Sequence, residues 1–322
     1  MPFVSVVMPA HNEEQYIGEC LAALKQQSYP ADRFEIIVVD NNSKDRTSEI
    51  ARSHGVKVLF KEKGPVGAVR NYGVAHAQGE ILAFIDSDCV APPTWLQEGV
   101  ALVTGDGKTA FGGGCYLREH PYFIEKYWLL SNNNEGSLPK HLLGATFFIT
   151  RELFQKAGMF DEVITSGEDT KLSEAVVVAG GQVCFDKRLN VAHLGNPTTV
   201  AAFFKRQIWH SENYIKNFSA SRADPIFYLV VLFYSLFIAS AVSLLSFHVL
   251  LSLGLISLAL LVPVVLSIKR IVRSGYHIVR PAEIAIIYWL DLLYVSARCI
   301  GLTVGALRQF GVSGSRVKQE EA

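Results

Sequence analysis

Asp86 and Asp88 stand one residue apart in the string FIDSDC (84–89), at the end of a short apolar run. ILAFI (81–85) is unbroken by polar side chains and is bounded by Gly79-Glu80 and the two acids, the pattern of a buried strand. Two carboxylates where such a strand meets solvent form a hard-oxygen cluster suited to Mg²⁺ or Mn²⁺. Such ions usually arrive with a phosphate. An Asp-x-Asp also occurs in ordinary surface turns, so the surrounding elements decide its meaning.

Those elements alternate. FVSVVM (3–8) is an apolar run, and residues 13–27 then place Ile17, Cys20, Leu21 and Leu24 at helical spacing, with Glu13 and Glu14 in the first turn. RFEIIVVD (33–40) predicts a second buried strand and residues 44–55 a short helix closed by Gly55. VKVLF (56–60), a helix over 66–77 and ILAFI follow. Strands alternating with helices imply βαβ units and a mostly parallel α/β sheet covered on both faces. Ligands of such sheets bind at the carboxyl ends of the strands. Pro9 to Glu13, Asp40 and the Asp86/Asp88 pair all fall on that edge. No G-x-G-x-x-G stands at the first strand–helix turn, which disfavours a dinucleotide-binding domain.

The strings VSVVMPAHNEEQYIGECLAAL, EIIVVDNNSKDRT, GAVRNYGVAHAQGEILAFIDSD, GATFFITRELFQKAGMFDE and GEDTKL occur in that order within roughly residues 3–195. Together they resemble the successive blocks of family 2 glycosyltransferases of GT-A fold. The resemblance implies a nucleotide-sugar donor, a UDP-sugar for preference, and a divalent metal, Mg or Mn. Pro9, Ala10, Asn12 and Glu13 would form the first nucleotide-contacting loop, and Asp40 would accept a hydrogen bond from the base. Arg70 would lie near the nucleotide phosphates, where a guanidinium offers charge-assisted donors. Asp86 would touch the ribose or a metal-bound water. Asp88 would ligate the cation, with His193 of NVAHLG completing its shell. Each position also has a plain structural reading: a strand-to-helix turn, a helix-capping aspartate, a solvated arginine, a packed histidine.

GEDTKL (167–172) sets Glu168 and Asp169 at the start of a helix whose Leu172 and Val176 turn inward. The resemblance makes Asp169 the general base that takes the proton of an attacking sugar hydroxyl, with Glu168 on the acceptor side. Two acids complementing a helix N-terminus are the structural alternative. Processive polysaccharide synthases of the family also carry Q-x-x-R-W. Here that region reads FFKRQIWHSENY (203–214), which lacks the string and favours single-sugar addition.

The C-terminal third is different material. Residues 226–268 are almost uncharged, with His248 the one side chain of a type that titrates near neutral pH. One straight helix of that length would extend about 65 Å, twice a hydrocarbon core of about 30 Å. Two spans turning near Ser246–His248 fit better, with Pro263 kinking the second. KRIVRSGYHIVR (269–280) is then a basic loop, which positive-inside reasoning places in the cytoplasm with the catalytic domain. Residues 283–307 read as a third span whose face of Asp291, Arg298, Gly301 and Gly305 packs on the hairpin, or as an interfacial amphipathic helix. Residues 203–218 mix aromatic and basic side chains, suited to the headgroup region or to domain packing.

The expected organisation is a GT-A domain over 1–200, a juxtamembrane linker over 201–225, a membrane region over 226–307 and a polar tail over 308–322. With 30 basic and 30 acidic residues the chain is neutral overall, and no basic stripe suggests nucleic acid. The 5 cysteines include no C-x-x-C, and the N-terminus lacks the basic region of a signal peptide. The combined expectation is an inverting, metal-dependent hexosyl or acetamidohexosyl transferase in the cytoplasmic membrane. Its acceptor would be a hydroxyl of a lipid-linked sugar or glycan in surface-polysaccharide synthesis. The alternatives are a polyprenyl-phosphate glycosyltransferase and a non-catalytic nucleotide-sugar sensor. Side chains that select the sugar would lie in loops such as 131–143.

Overall fold

The computed structural model describes residues 1–130, 138–164, 167–212, 214–215, 221–222, 224–274, 276–278 and 280–309. Most of the polar tail and the 131–137 part of the selecting loop lie outside the described residues. The chain forms two compact units, Met1–His120 with Asn133–Asn196, and Pro121–Asn132 with Pro197–Ala322.

The strands of the first unit are β1 (Val4–Ala10), β2 (Phe34–Asp40), β3 (Lys57–Phe60), β4 (Ile81–Ile85), β5 (Cys89–Val90), β6 (Thr109–Gly112), β7 (Cys115–Tyr116), β8 (Thr146–Thr150), β9 (Gln182–Phe185) and β10 (Val191–His193). Its helices are α1 (Ile17–Lys25), α2 (Thr47–Ser53), α3 (Val66–Ala75), α4 (Trp95–Val103), α6 (Arg151–Lys156) and α7 (Glu168–Val178), and α5 (Phe123–Leu129) belongs to the second unit. A seven-stranded sheet runs in the order β3-β2-β1-β4-β8-β6-β9, and a small three-stranded sheet runs β5-β10-β7.

The large sheet is mixed rather than uniformly parallel. β3, β2, β1 and β4 pair in parallel, as do β6 and β9, but β8 runs antiparallel to both β4 and β6. Parallel register sets Ala10 beside Asp40, and antiparallel register sets Thr146 beside Ile85. The start of β8 therefore reaches the same rim as the carboxyl ends of β1, β2 and β4. Side chains alternate across the sheet: Val6 and Met8 enter one core with Leu21, Trp95 and Phe148, while Val7 enters the other with Phe84, Phe147, Phe154 and Phe160. Both faces are covered, which is why these strands read as continuous apolar runs.

The second unit is helical: α5, α8 (Val200–Glu212), α9 (Pro225–Leu245), α10 (Val249–Ala259), α11 (Leu261–Ser274) and α12 (Pro281–Gln309). α9 and α10 form a hairpin that turns through Phe247, at φ 62°. The hydroxyls of Ser240 and Ser252 donate reciprocally to each other's backbone carbonyls, both at 2.9 Å, so no polar group is stranded between them. The second span breaks at Leu260, between α10 and α11. Pro263 lacks the N–H that would bond the carbonyl of Ala259, and its ring crowds that carbonyl.

Three helical stretches, Pro225–Leu245, Val249–Ser274 and Pro281–Gln309, are long and apolar enough to cross a membrane, as in a multi-pass membrane protein. The polar face of α12 divides between two neighbours. Asp291 accepts from Ser267 at 2.7 Å and pairs with Arg270 at 2.9 Å on the hairpin. Gly301 and Gly305 lie against α8, where a β-carbon would fall 2.2 Å from the carbonyl oxygen of Ile208 and 2.1 Å from that of Glu212. Phe203, Gln207 and Ser211 form the buried face of α8, while Lys205, Arg206, Trp209 and His210 face outward.

Candidate active site

The loop after β1 is braced against the loop after β2. Asn12 adopts φ 56°, a left-handed conformation that asparagine tolerates. Its backbone N–H donates to Ser43 Oγ at 3.0 Å and its side-chain oxygen accepts from the Lys44 N–H at 2.8 Å. The Glu13 N–H donates to Thr47 Oγ1 at 2.7 Å. Pro9 and Ala10 close β1 beside Val39 and Asp40. Asp40 is buried and accepts from the Ser43 N–H at 2.9 Å and from the Ser48 hydroxyl. It braces its own loop without capping α2, and each carboxylate oxygen retains acceptor capacity.

Arg70, on α3, is the hub of the rim. Its Nη2 donates to Asp86 Oδ1 at 2.7 Å and its Nη1 to Glu168 Oε1 at 2.8 Å, with the side chain only 3% exposed. Burial opposes its charge, but Asp86 and Glu168 more than offset that, so the group holds its proton more firmly than a free arginine. Both Nη groups point at carboxylates, and Nε has no partner. Removing one acid from such a buried pair costs about 3–5 kcal/mol, because a charge is left uncompensated. A β-carbon at Gly144 would sit 2.0 Å from Nη2, so the chain entering β8 makes room for the guanidinium. Asp169, one residue beyond Glu168, accepts from the Thr170 N–H at 2.7 Å and lies 3.4 Å from the Gly144 N–H.

Asp88 faces the small sheet. His193 Nε2 lies 3.3 Å from Asp88 Oδ2, and β10 pairs His193 with Cys89. Donor atoms of Asp88, Cys89 and His193 lie within 4.8 Å of one another. The hydrogen bond to Cys115, then burial and the nearby acids, push the Cys89 thiol well above its ordinary range, so it stays protonated. Asp88 offers a carboxylate, His193 an imidazole and Cys89 a thiol, and the carboxylate–imidazole pair is compatible with Mn²⁺ or Mg²⁺. His193 Nδ1 is buried without a hydrogen-bond partner, and Gly195 backs the carboxylate so closely that a β-carbon there would fall 1.9 Å from Asp88 Oδ2. These residues fit a divalent cation. Burial, then Asp88, Asp86 and Asp45, raise Glu13 to about 8, marking a rim crowded with negative charge.

The rim thus gathers Pro9, Ala10, Asn12, Glu13, Asp40, Arg70, Asp86, Asp88, Glu168, Asp169 and His193 within one unit. Sequence reasoning missed Cys89, Gly144 and Gly195. Cys89 directly follows Asp88 and was open to notice, and Gly144 and Gly195 stand inside or beside motifs already singled out. Nothing in a single sequence says that a carboxylate or guanidinium occupies the space a β-carbon would take.

Residues 5–159 match the family described as Glycosyl transferase family 2. Over 211 residues the chain is 32% identical to the glycosyltransferase AglE of Haloferax volcanii, a match covering 61% of this chain and 68% of AglE. The putative glycosyltransferase EpsH of Bacillus subtilis shares 38% identity over 102 residues, 30% of this chain and 29% of EpsH. A solved mannosyltransferase from Pyrobaculum calidifontis, PcManGT in complex with GDP-Man and Mn²⁺, has TM-score 0.52 at 18% identity, with 97% of this chain and 88% of that chain covered. That likeness speaks to the fold. The fold and rim define a GT-A-like sugar-transfer domain. The chain belongs to glycosyltransferase family 2, and it is a glycosyltransferase enzyme.

Proposed function

We propose that the protein transfers one sugar, with inversion, from a nucleotide sugar to a hydroxyl of a lipid-linked sugar or glycan at the cytoplasmic membrane. A UDP-sugar is the preferred donor, and surface-polysaccharide synthesis the setting. One observation carries the reading: a single buried guanidinium joins the donor-side Asp86 to the acceptor-side Glu168, so both halves of a transfer site share one rigid part.

The loop of Pro9, Ala10, Asn12 and Glu13 with Asp40 receives the nucleoside. Asp88 and His193 would hold Mg²⁺ or Mn²⁺, which would supply Lewis-acid stabilisation of negative charge on the diphosphate. Arg70 is a positioning residue that fixes Asp86 and Glu168 and, through the α7 turn, the neighbouring Asp169. Asp169 takes the proton of the acceptor hydroxyl as its oxygen attacks the anomeric carbon from the face opposite the leaving group. Attack from that side inverts the configuration.

Asp169→Asn keeps size and polarity but cannot accept the proton. Transfer should fall by about 10² to 10⁴, mainly in kcat, while calorimetric donor binding changes little. Near-normal transfer would remove Asp169 as base and favour an acceptor that is already an anion, such as a polyprenyl phosphate. Mass-spectrometric assay of the detergent-purified protein against a panel of nucleotide sugars and membrane lipid extract identifies the donor.

A further inference from the structure

Arg298 sits in α12 among apolar side chains, and its charge has no matching carboxylate. Arg270 pairs with Asp291 and Arg308 with Glu212, yet among the described residues no carboxylate oxygen lies within 4.0 Å of Arg298. Its direct partners are neutral, although the carboxylate of Asp224 also acts on Tyr214 and Tyr294. Its Cζ lies 4.8 Å from the ring centre of Tyr294 and 5.4 Å from that of Tyr214. Nη1 donates to the Tyr214 hydroxyl and Nη2 to Gln207 Oε1 at 3.3 Å, while Nε is buried with no partner. A guanidinium flanked by aromatic rings, with no acid in contact, is suited to an anion. Leaving such a charge uncompensated against hydrocarbon is costly.

Depth narrows the class of anion. Cys299, the next residue, lies 3.8 Å from the carbonyl of Val230, in the second turn of α9. Tyr214 precedes that helix and packs edge-on against Phe227 in its first turn, 5.3 Å between ring centres. The guanidinium therefore stands level with the first turns of an apolar 21-residue helix, where a bilayer passes from headgroups to hydrocarbon. Phosphate esters of membrane lipids lie at that boundary.

We propose that Arg298, with Gln207 and the ring of Tyr214, forms a binding site for the phosphate or diphosphate ester of a membrane lipid. The proposal deepens the reading of a lipid-linked acceptor and rests on it: the site would hold the carrier's phosphate. The same chemistry is offered by an ordinary anionic phospholipid headgroup, and the test separates the two sources.

The full chain is placed in phosphatidylcholine nanodiscs, and binding of a sugar-free polyprenyl diphosphate or of phosphatidylglycerol is followed by native mass spectrometry. Arg298→Gln should weaken phospholipid-ester binding by about tenfold or more while calorimetric nucleotide-sugar binding stays unchanged. Preference for the polyprenyl diphosphate identifies the acceptor carrier, and equal binding identifies a headgroup. Either result supports the phosphate site. Tyr214→Phe removes the hydroxyl that occupies Nη1 but keeps the ring, so binding should be as tight or tighter. Undiminished lipid binding by a folded Arg298→Gln overturns the proposal. If that variant does not fold, a tenfold loss in Tyr214→Phe overturns it instead. Absence of transfer by the unsubstituted protein, with its lipid binding intact, would count against the catalytic assignments and leave this site standing.

Discussion

Gly144 and Gly195 keep their places because charged atoms of Arg70 and Asp88 occupy the positions their β-carbons would take. The same crowding governs protonation. Burial, then Asp88, Asp86 and Asp45, raise Glu13 from 4.5 to about 8. Burial also raises Asp88, with His193 opposing and Asp86 adding to the shift. The folded chain holds the Glu13 proton to a higher pH than the unfolded chain does. Stability from this group is therefore present at low pH, declines as pH climbs from 4.5 towards 8 and levels off above. A cation at Asp88 and His193 offsets the like charges, so the decline should shrink in Mn²⁺ and metal uptake should release protons near neutrality. Thermal melting between about pH 5 and 9, in Mn²⁺ and in EDTA, checks this. The Tm should fall with pH in EDTA and hold in Mn²⁺, and Asp88→Asn should erase the difference. Identical slopes in both media would break the link between Glu13 and a metal. The acids themselves were legible, because Asp-x-Asp and Glu-Asp stand at the ends of strongly patterned elements. The partners of Arg70 were not, since it meets Glu168 across 98 positions of sequence.

At the scale of elements, hydrophobic pattern located the strands, while local hydrogen bonding moved the helix starts. ILAFI is β4, residue for residue. α1 begins at Ile17 rather than 13, because residues 13–16 form a turn in which the Glu13 carbonyl accepts from the N–H groups of Tyr16 and Ile17. α2 begins at Thr47 rather than 44, where Asp45 accepts from the Thr47 N–H at 3.0 Å. The reversed direction of β8 was illegible, since an apolar strand reads alike in both directions. It matters, because only that direction brings Gly144 to the rim. Between α8 and α12 the glycines set the approach. Gly301→Val would drive its side chain into the Ile208 carbonyl and Ser211 hydroxyl, which a β-carbon would meet at 2.2 Å and 2.0 Å. Separating the two helices should cost about 1–3 kcal/mol and lower the melting temperature in detergent. Nucleotide-sugar binding, which belongs to the other unit, should survive. An unchanged melting temperature would mean that the two helices do not depend on this close approach.

Across the whole molecule, charge and hydropathy set sidedness. The chain is neutral in sum, but its apolar C-terminal third is net basic and the remainder net acidic. The first two candidate spans have mean hydropathies of 2.2 and 2.8, against 1.5 for Pro281–Gln309, whose window is 44% buried inside the protein. That third helix stayed ambiguous in the sequence for a physical reason: it must satisfy neighbouring helices as well as lipid, and its Asp291, Gly301 and Gly305 do the former. The hairpin carries the firmer expectation. The expected loop over 269–280 begins as helix: Lys269, Arg270 and Arg273 lie in the last turns of the second span and Arg280 follows it, and basic residues at a span's end are retained in the cytoplasm. An even number of crossings before that loop would place the catalytic unit on the same side, where nucleotide sugars are made. A reporter fused within 269–280 should therefore read as cytoplasmic, and one inserted at Ser246–His248 should read as the far side. Protease cleavage within 269–280 from outside intact cells would invert the assignment and leave the catalytic rim away from its donor.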